Sequence, residues 1–133
     1  MGAGPAGLAY FVAVKLAGYT AMAYYLRKKY PQSTASPWVV GATRTLIGLG
    51  AGIGLVFLTE RIGIVTPSFA FYGVMLPLRI AEWLLVLWLF YERPDWRWSR
   101  ALRWASLGYV VSCLLDAPAV LSMFVLPGGV WVC

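Results

Sequence analysis

Five ionisable side chains, Lys15, Arg44, Arg79, Glu82 and Asp116, fall inside stretches of sequence that are otherwise apolar enough to cross a bilayer. A charge at the centre of a spanning helix costs at least roughly 2.5–3.5 kcal/mol on insertion scales, so such residues face a partner, a cavity or a ligand rather than lipid. Arg79 and Glu82 are three apart on one helical face, with Trp83 beside them and Tyr72 two turns earlier on the same stripe. Ser106, Tyr109, Ser112, Cys113 and Asp116 follow at spacings of three and four, a polar stripe that ends in a carboxylate. Pro77 stands just before the first group and Pro118 just after the second. Each removes a backbone hydrogen bond, and charges beside helix breaks at one depth are an arrangement that binds ligands in membranes.

By depth, Lys15 reaches Asp116 and Arg44 reaches Glu82, with Arg79 between the two carboxylates. Three positive charges then face two negative ones, and one cation is surplus. One reading is a structural ion network that sets helix register, with the surplus cation snorkelling toward lipid phosphate. The other is a site: the surplus charge receives an anionic or strongly polar ligand, and Glu82 or Asp116 exchanges a proton with it. A closed set of bonded pairs favours the network, and a gap lined by Arg79 favours the site. On the second reading Arg79, Lys15, Arg44, Tyr72, Trp83, Tyr109 and Ser112 bind the ligand, while Glu82 and Asp116 do the acid–base work.

The function these residues suggest is a small transporter or carrier with proton coupling through carboxylates, assembled as a homo-oligomer because four helices enclose little volume. Two alternatives fit the same residues. An accessory subunit of a larger membrane complex needs no ligand of its own. An intramembrane acid–base enzyme acting on an isoprenoid or lipid would use a buried carboxylic acid, with aromatic faces sheltering a cation. The sequence leaves open whether catalysis occurs at all.

Composition narrows the chemistry. The 133 residues are 61% hydrophobic and 12% charged, which is the composition of a membrane protein. With no histidine and only Cys113 and Cys133 as thiols, zinc sites of the His/Cys kind, His-ligated haem and a disulfide framework are excluded. No cofactor and no metal is expected. The net charge of +6 sits beside hydrophobic ends, so its expected partners are anionic lipid headgroups on the cytoplasmic face rather than nucleic acid.

The elements that must position these groups are four helices in one domain spanning residues 1–133. Apolar runs near the roughly 20 residues needed to span the hydrocarbon layer occupy 7–26, 38–58, 69–91 and 104–126. This is an all-α, polytopic four-helix membrane bundle. Arg27, Lys28 and Lys29 lie in the first connection and Arg93, Arg97, Arg100 and Arg103 in the third, against Arg61 alone in the second. The positive-inside bias places those two loops in the cytoplasm and both termini on the non-cytoplasmic side, in a membrane of the bacterial cytoplasmic kind.

Trp96, Arg97, Trp98, Arg100, Arg103 and Trp104 interleave rings and guanidiniums, the pattern of an interfacial belt at headgroup depth. Tyr24, Tyr25, Tyr30 and Trp38 do the same for the first hairpin. Tyr24-Tyr25-Leu26-Arg27 and Phe90-Tyr91-Glu92-Arg93 occupy equivalent places in the two hairpins, which suggests a parallel repeat. Gly2-Ala3-Gly4-Pro5-Ala6-Gly7 spells a dinucleotide fingerprint, but no strand precedes it and no acidic residue follows at the needed distance. The same segment lacks the basic start of a signal peptide, so cleavage is not expected. Gly48, Gly50, Gly52 and Gly54 form two small-xxx-small pairs about 200° apart on the second span. That helix is expected to be gripped on two sides, once within the bundle and once across a subunit boundary.

Overall fold

The computed structural model describes residues 5–63, 68–93 and 95–122; for Val56 and for residues 68–72 and 119–122 it describes the backbone course only. Four helices follow in order: α1 over Pro5–Lys29, α2 over Pro37–Ile62, α3 over Ser68–Leu87 and α4 over Trp98–Ser122. No strand occurs among the described residues. α3 runs on without a break into a single π-helical turn, Trp88–Glu92.

Local chemistry sets the ends. Pro5 occupies the first turn of α1, where its missing N–H costs nothing. Arg27, Lys28 and Lys29 close the helix against the negative end of its dipole, and Pro31 bars further helix. α2 begins at Pro37 and ends at Gly63, whose φ of 68° is the left-handed stop that a Cβ resists. Its N–H donates to the Glu60 carbonyl at 3.3 Å. Pro77 and Pro118 both lie inside helices, α3 and α4 respectively, as neighbouring helices permit in a bundle.

α1, α2 and the 20 residues Gly73–Glu92 are long and apolar enough to cross a membrane. α4 has 25 residues, about 37 Å at 1.5 Å per residue. It begins six residues before the expected span, because the Trp98–Arg103 belt is itself helical, and part of the expected 104–126 stretch lies outside the described residues.

The four helices form a ring in chain order, α1 against α2, α2 against α3, α3 against α4, and α4 back against α1. Inside the ring, toward the end that carries the basic loops, Tyr19, Met22, Ala23, Leu26, Val40, Trp83, Val86, Leu87, Tyr91 and Ala105 make one apolar core. Glycine is required at two of the close approaches. A Cβ at Gly41 would stand 2.9 Å from the Thr20 backbone nitrogen, and one at Gly108 would collide with the Trp83 indole. These contacts let α2 approach α1 and let the indole lie flat against α4. Outward-facing apolar residues such as Leu46, Ile53, Phe57, Leu85, Val110 and Leu114 cover the exterior, as a lipid-facing surface demands.

Candidate functional site

All five intramembrane charges turn inward. Lys15, Arg44, Arg79, Glu82 and Asp116 are each at most 7% exposed. They arrive from all four helices, and they fall into two bonded groups.

The first group is a triad. Asp116 of α4 accepts from Lys15 of α1 on Oδ1 and from Arg79 of α3 on Oδ2, the latter at 2.6 Å. A carboxylate clamped by two cations carries a net charge of +1. The second group is a pair: Arg44 of α2 donates through Nη2 to Glu82 Oε2 of α3 at 2.7 Å. Arg79 therefore joins Asp116 alone and does not bridge the two carboxylates. The Cys113 sulfur also lies 4.0 Å from its Nη1.

Between the two groups lies a neutral seam. The Lys15 ammonium donates to Tyr19 Oη and to the Ser112 carbonyl, each at 3.4 Å, as well as to Asp116, which uses all three of its protons. Tyr19 donates to Ser112 Oγ at 3.2 Å, Trp83 Nε1 donates to the same oxygen at 3.1 Å, and Ser112 passes its own proton to the Gly108 carbonyl at 2.9 Å. Ser112 Oγ thus accepts twice and donates once, its full capacity. The Tyr19 and Trp83 rings meet edge to face at 5.7 Å. Both groups touch this seam: the Lys15 ammonium is 5.6 Å from the Tyr19 ring, while the Arg44 guanidinium is 4.9 Å from Tyr19 and 5.2 Å from Trp83. Buried aromatic faces compensate part of the hydration these cations lose.

The compensation is incomplete at one place. Arg44 is 1% exposed, yet Nε and Nη1 have no hydrogen-bond partner among the described residues. Nη1 lies beside Gly48, since a Cβ there would stand 3.0 Å from it. Gly48, with Phe11, Lys15, Tyr19, Thr45 and Leu49, lines a crevice of about 10 Å³ between α1 and α2. That is room for one water-sized occupant.

Of the remaining residues singled out in the sequence, Trp83 and Ser112 stand in the seam, and Tyr109 is half-buried on α4. The Tyr72 side chain lies outside the described residues. The stripe on α4 is split: Ser112 and Asp116 are buried, but Ser106 and Cys113 face outward. Among the glycines, Gly48 and Gly52 face the interior side of α2, while Gly50 and Gly54 are exposed with open space beside them. Within one chain α2 is therefore gripped on one side.

A second cluster sits at the basic end. Glu92, the last residue of the π-helical turn, is 1% exposed. It accepts from the Tyr30 hydroxyl and from Arg100 Nε at 2.9 Å, and Arg100 also stacks 5.3 Å from the Tyr30 ring. Ser33 donates to the Phe90 carbonyl at 2.8 Å and Tyr91 to the Ala23 carbonyl at 3.3 Å. These bonds tie the two hairpins together where the equivalent tetrads of the suspected repeat meet. Burial, then the bond to Glu92 and its charge, push the Tyr30 phenol well above its ordinary range. Sequence reasoning missed this role for Glu92, which it placed just past the third span, at the start of the connection to the fourth. It also left Tyr19 out of the site, although Lys15 and Tyr19 stand four apart on one face.

Fold and site together define a helical membrane bundle with an interior charge network. Comparison with known proteins adds no nearer identity: no family model, no curated protein and no solved structure matches the chain.

Proposed function

We propose that the chain is an integral membrane carrier for a small polar or anionic ligand, with the carboxylates of Asp116 and Glu82 exchanging protons as the ligand moves. Both termini face outward, the basic loops face the cytoplasm of a bacterial cell, and anionic lipid headgroups engage Arg97, Arg100 and Arg103. One observation carries the proposal. The interior holds an odd positive charge together with two unmet arginine donors, and a network built only for stability has use for neither. The prolines at 77 and 118 provide breaks at which α3 and α4 can yield.

Purified protein in sealed liposomes tests this through the flux of small anions against an imposed gradient, read with internal pH and membrane-potential dyes. Wild type moves the ion with a matching proton flow, and Asp116→Asn loses the coupling. Protein-containing liposomes no leakier than empty ones would end the carrier reading.

A second reading has its own support. Asp116 and Glu82 are both closed into ion pairs, which is what an accessory subunit built for register would show. Copurification of an unrelated membrane protein in fixed ratio is the result expected of that reading. For an intramembrane enzyme, both carboxylates would first have to be released from the cations that engage them.

A further inference from the structure

We infer that the basic end of α4 carries a discrete site for one anionic phospholipid, its phosphate held by Arg100 and Arg103 and one acyl chain laid along the face that starts at Leu107. The inference rests on the proposed engagement of lipid headgroups and narrows it. A diffuse contact with Arg97, Arg100 and Arg103 becomes one built pocket, from which Arg97 is absent.

Arg100, Arg103, Trp104 and Leu107 line an open pocket of about 410 Å³, within the size range of sites that take a small organic molecule. Their spacing puts all four on one stripe of α4. Along that stripe the lining passes from guanidinium through indole to an aliphatic side chain over roughly 10 Å of helix. A bilayer passes from headgroup to hydrocarbon over about 5–8 Å on each side, with tryptophan favoured at the boundary. Beyond Leu107 the same side of α4 presents Val110 and Leu114, both exposed, as an apolar track for a chain.

The donors are ordered in advance. Arg100 commits Nε to Glu92 at 2.9 Å and Nη2 to the Asp95 carbonyl at 3.0 Å, and it stacks 5.3 Å from the Tyr30 ring. Arg103 commits only Nε, to the Ser99 carbonyl at 3.3 Å. That leaves Arg100 Nη1 and both terminal nitrogens of Arg103 without a hydrogen-bond partner among the described residues. Trp104 is met edge-on by Tyr25 at 5.8 Å and by Tyr30 at 6.4 Å. Fixing the site before the ligand arrives lowers the cost of binding.

Charge and shape set the ligand class. Guanidiniums match phosphate oxygens with parallel donors. Glu92 offsets the charge of Arg100, so Arg103 supplies the surplus that prefers an anionic lipid to a zwitterionic one. Arg97 is different: its side chain is 69% exposed, it lies 3.8 Å from Asp95, and it does not line the pocket.

The test is thermal unfolding of the purified full chain in detergent, titrated with phosphatidylglycerol or with phosphatidylcholine of the same chains. Inorganic phosphate serves as the probe without a tail, and native mass spectrometry counts the lipids retained. A ligand that binds only the folded state raises Tm in a saturable way. Wild type shows that rise with phosphatidylglycerol, retains one such lipid per chain, and responds to neither phosphatidylcholine nor inorganic phosphate. Arg103→Gln and Arg97→Gln remove the same charge, one inside the pocket and one beside it. Arg103→Gln weakens the apparent affinity at least about tenfold, as loss of a charge-assisted hydrogen bond implies, and Arg97→Gln weakens it far less. Arg100→Lys keeps the pair with Glu92 but loses the second terminal nitrogen, so it also weakens binding and is an independent variant. Equal losses in Arg97→Gln and in the pocket variants overturn the site and leave only the diffuse headgroup contact. No preference for phosphatidylglycerol in wild type overturns both, whether or not any variant folds. An equal response to inorganic phosphate overturns the lipid as ligand. Ion flux is measured separately, so the carrier and the lipid site can each fail alone.

Discussion

Asp116 holds two cations at once, and that makes the substitutions around it unequal. Asp116→Asn leaves Lys15 and Arg79 facing one another without a counter-charge, whereas Lys15→Met leaves a neutral Arg79–Asp116 pair. Breaking a buried ion pair by removing one partner costs about 3–5 kcal/mol, and substituting an apolar group that restores charge balance is often near neutral. Thermal unfolding in detergent should therefore show a large drop for Asp116→Asn and a small change for Lys15→Met. The residue scale also has a pH signature at the basic end. The Tyr30 phenol, raised above its ordinary value of 10.0 by burial and by Glu92, favours the neutral form in the folded state. Its contribution to stability is complete below pH 10 and is lost as pH climbs above that value, because the unfolded chain releases the proton first. Tyr30→Phe should lower stability at neutral pH by about 1.5–3 kcal/mol, the worth of a hydrogen bond to a charged group, and should remove that share of the alkaline loss.

The elements respond differently along α2 and α4. Gly108→Ala drives a methyl into the Trp83 indole, and overpacking of that kind costs about 1–3 kcal/mol. Gly50→Ala meets nothing within 4 Å and improves helix propensity by up to about 1 kcal/mol, so the monomer should tolerate it. If the Gly50/Gly54 face meets a second copy of the chain, as proposed for a homo-oligomer, Gly50→Leu should shift the mass measured in detergent toward the monomer while leaving helicity unchanged. Much of the element scale was legible beforehand. Span length and hydropathy depend on the bilayer rather than on tertiary contacts, and the first three helices cover the expected runs, while α4 covers its run as far as Ser122. The start of α4 was not legible, because a helix need not end where the hydrocarbon ends and the aromatic–arginine belt is a good helix in its own right. Nor was the π-helical turn at Trp88–Glu92. Its extra residue per turn accompanies the burial of Glu92, and composition gave no reason to bury a carboxylate that opens an arginine-rich connection.

For the whole molecule, depth along the helices proved a sound guide to which charges could meet: Lys15 with Asp116 and Arg44 with Glu82 both form. What depth cannot supply is rotation about the helix axis. Arg79 had two carboxylates within its range and took one, and Cys113, on the polar stripe by spacing, faces outward. The seam of Tyr19, Ser112 and Trp83 was illegible for the same reason, since it depends on three helices turning matching faces inward. The charge asymmetry between loops is a global property and predicts the orientation. Reporters fused to either end should be active only on the outer side of the membrane, and one inserted between Lys29 and Pro37 only on the inner side.

An interior that keeps one more cation than anion is also coupled to the electric field across the membrane. One elementary charge carried through a drop of 100 mV changes energy by about 2.3 kcal/mol, so even a quarter of that path shifts a two-state equilibrium by roughly 0.6 kcal/mol, a factor of nearly three. Any rocking of α1, α3 and α4 that displaces the Lys15–Asp116–Arg79 triad along the membrane normal should thus be voltage-sensitive.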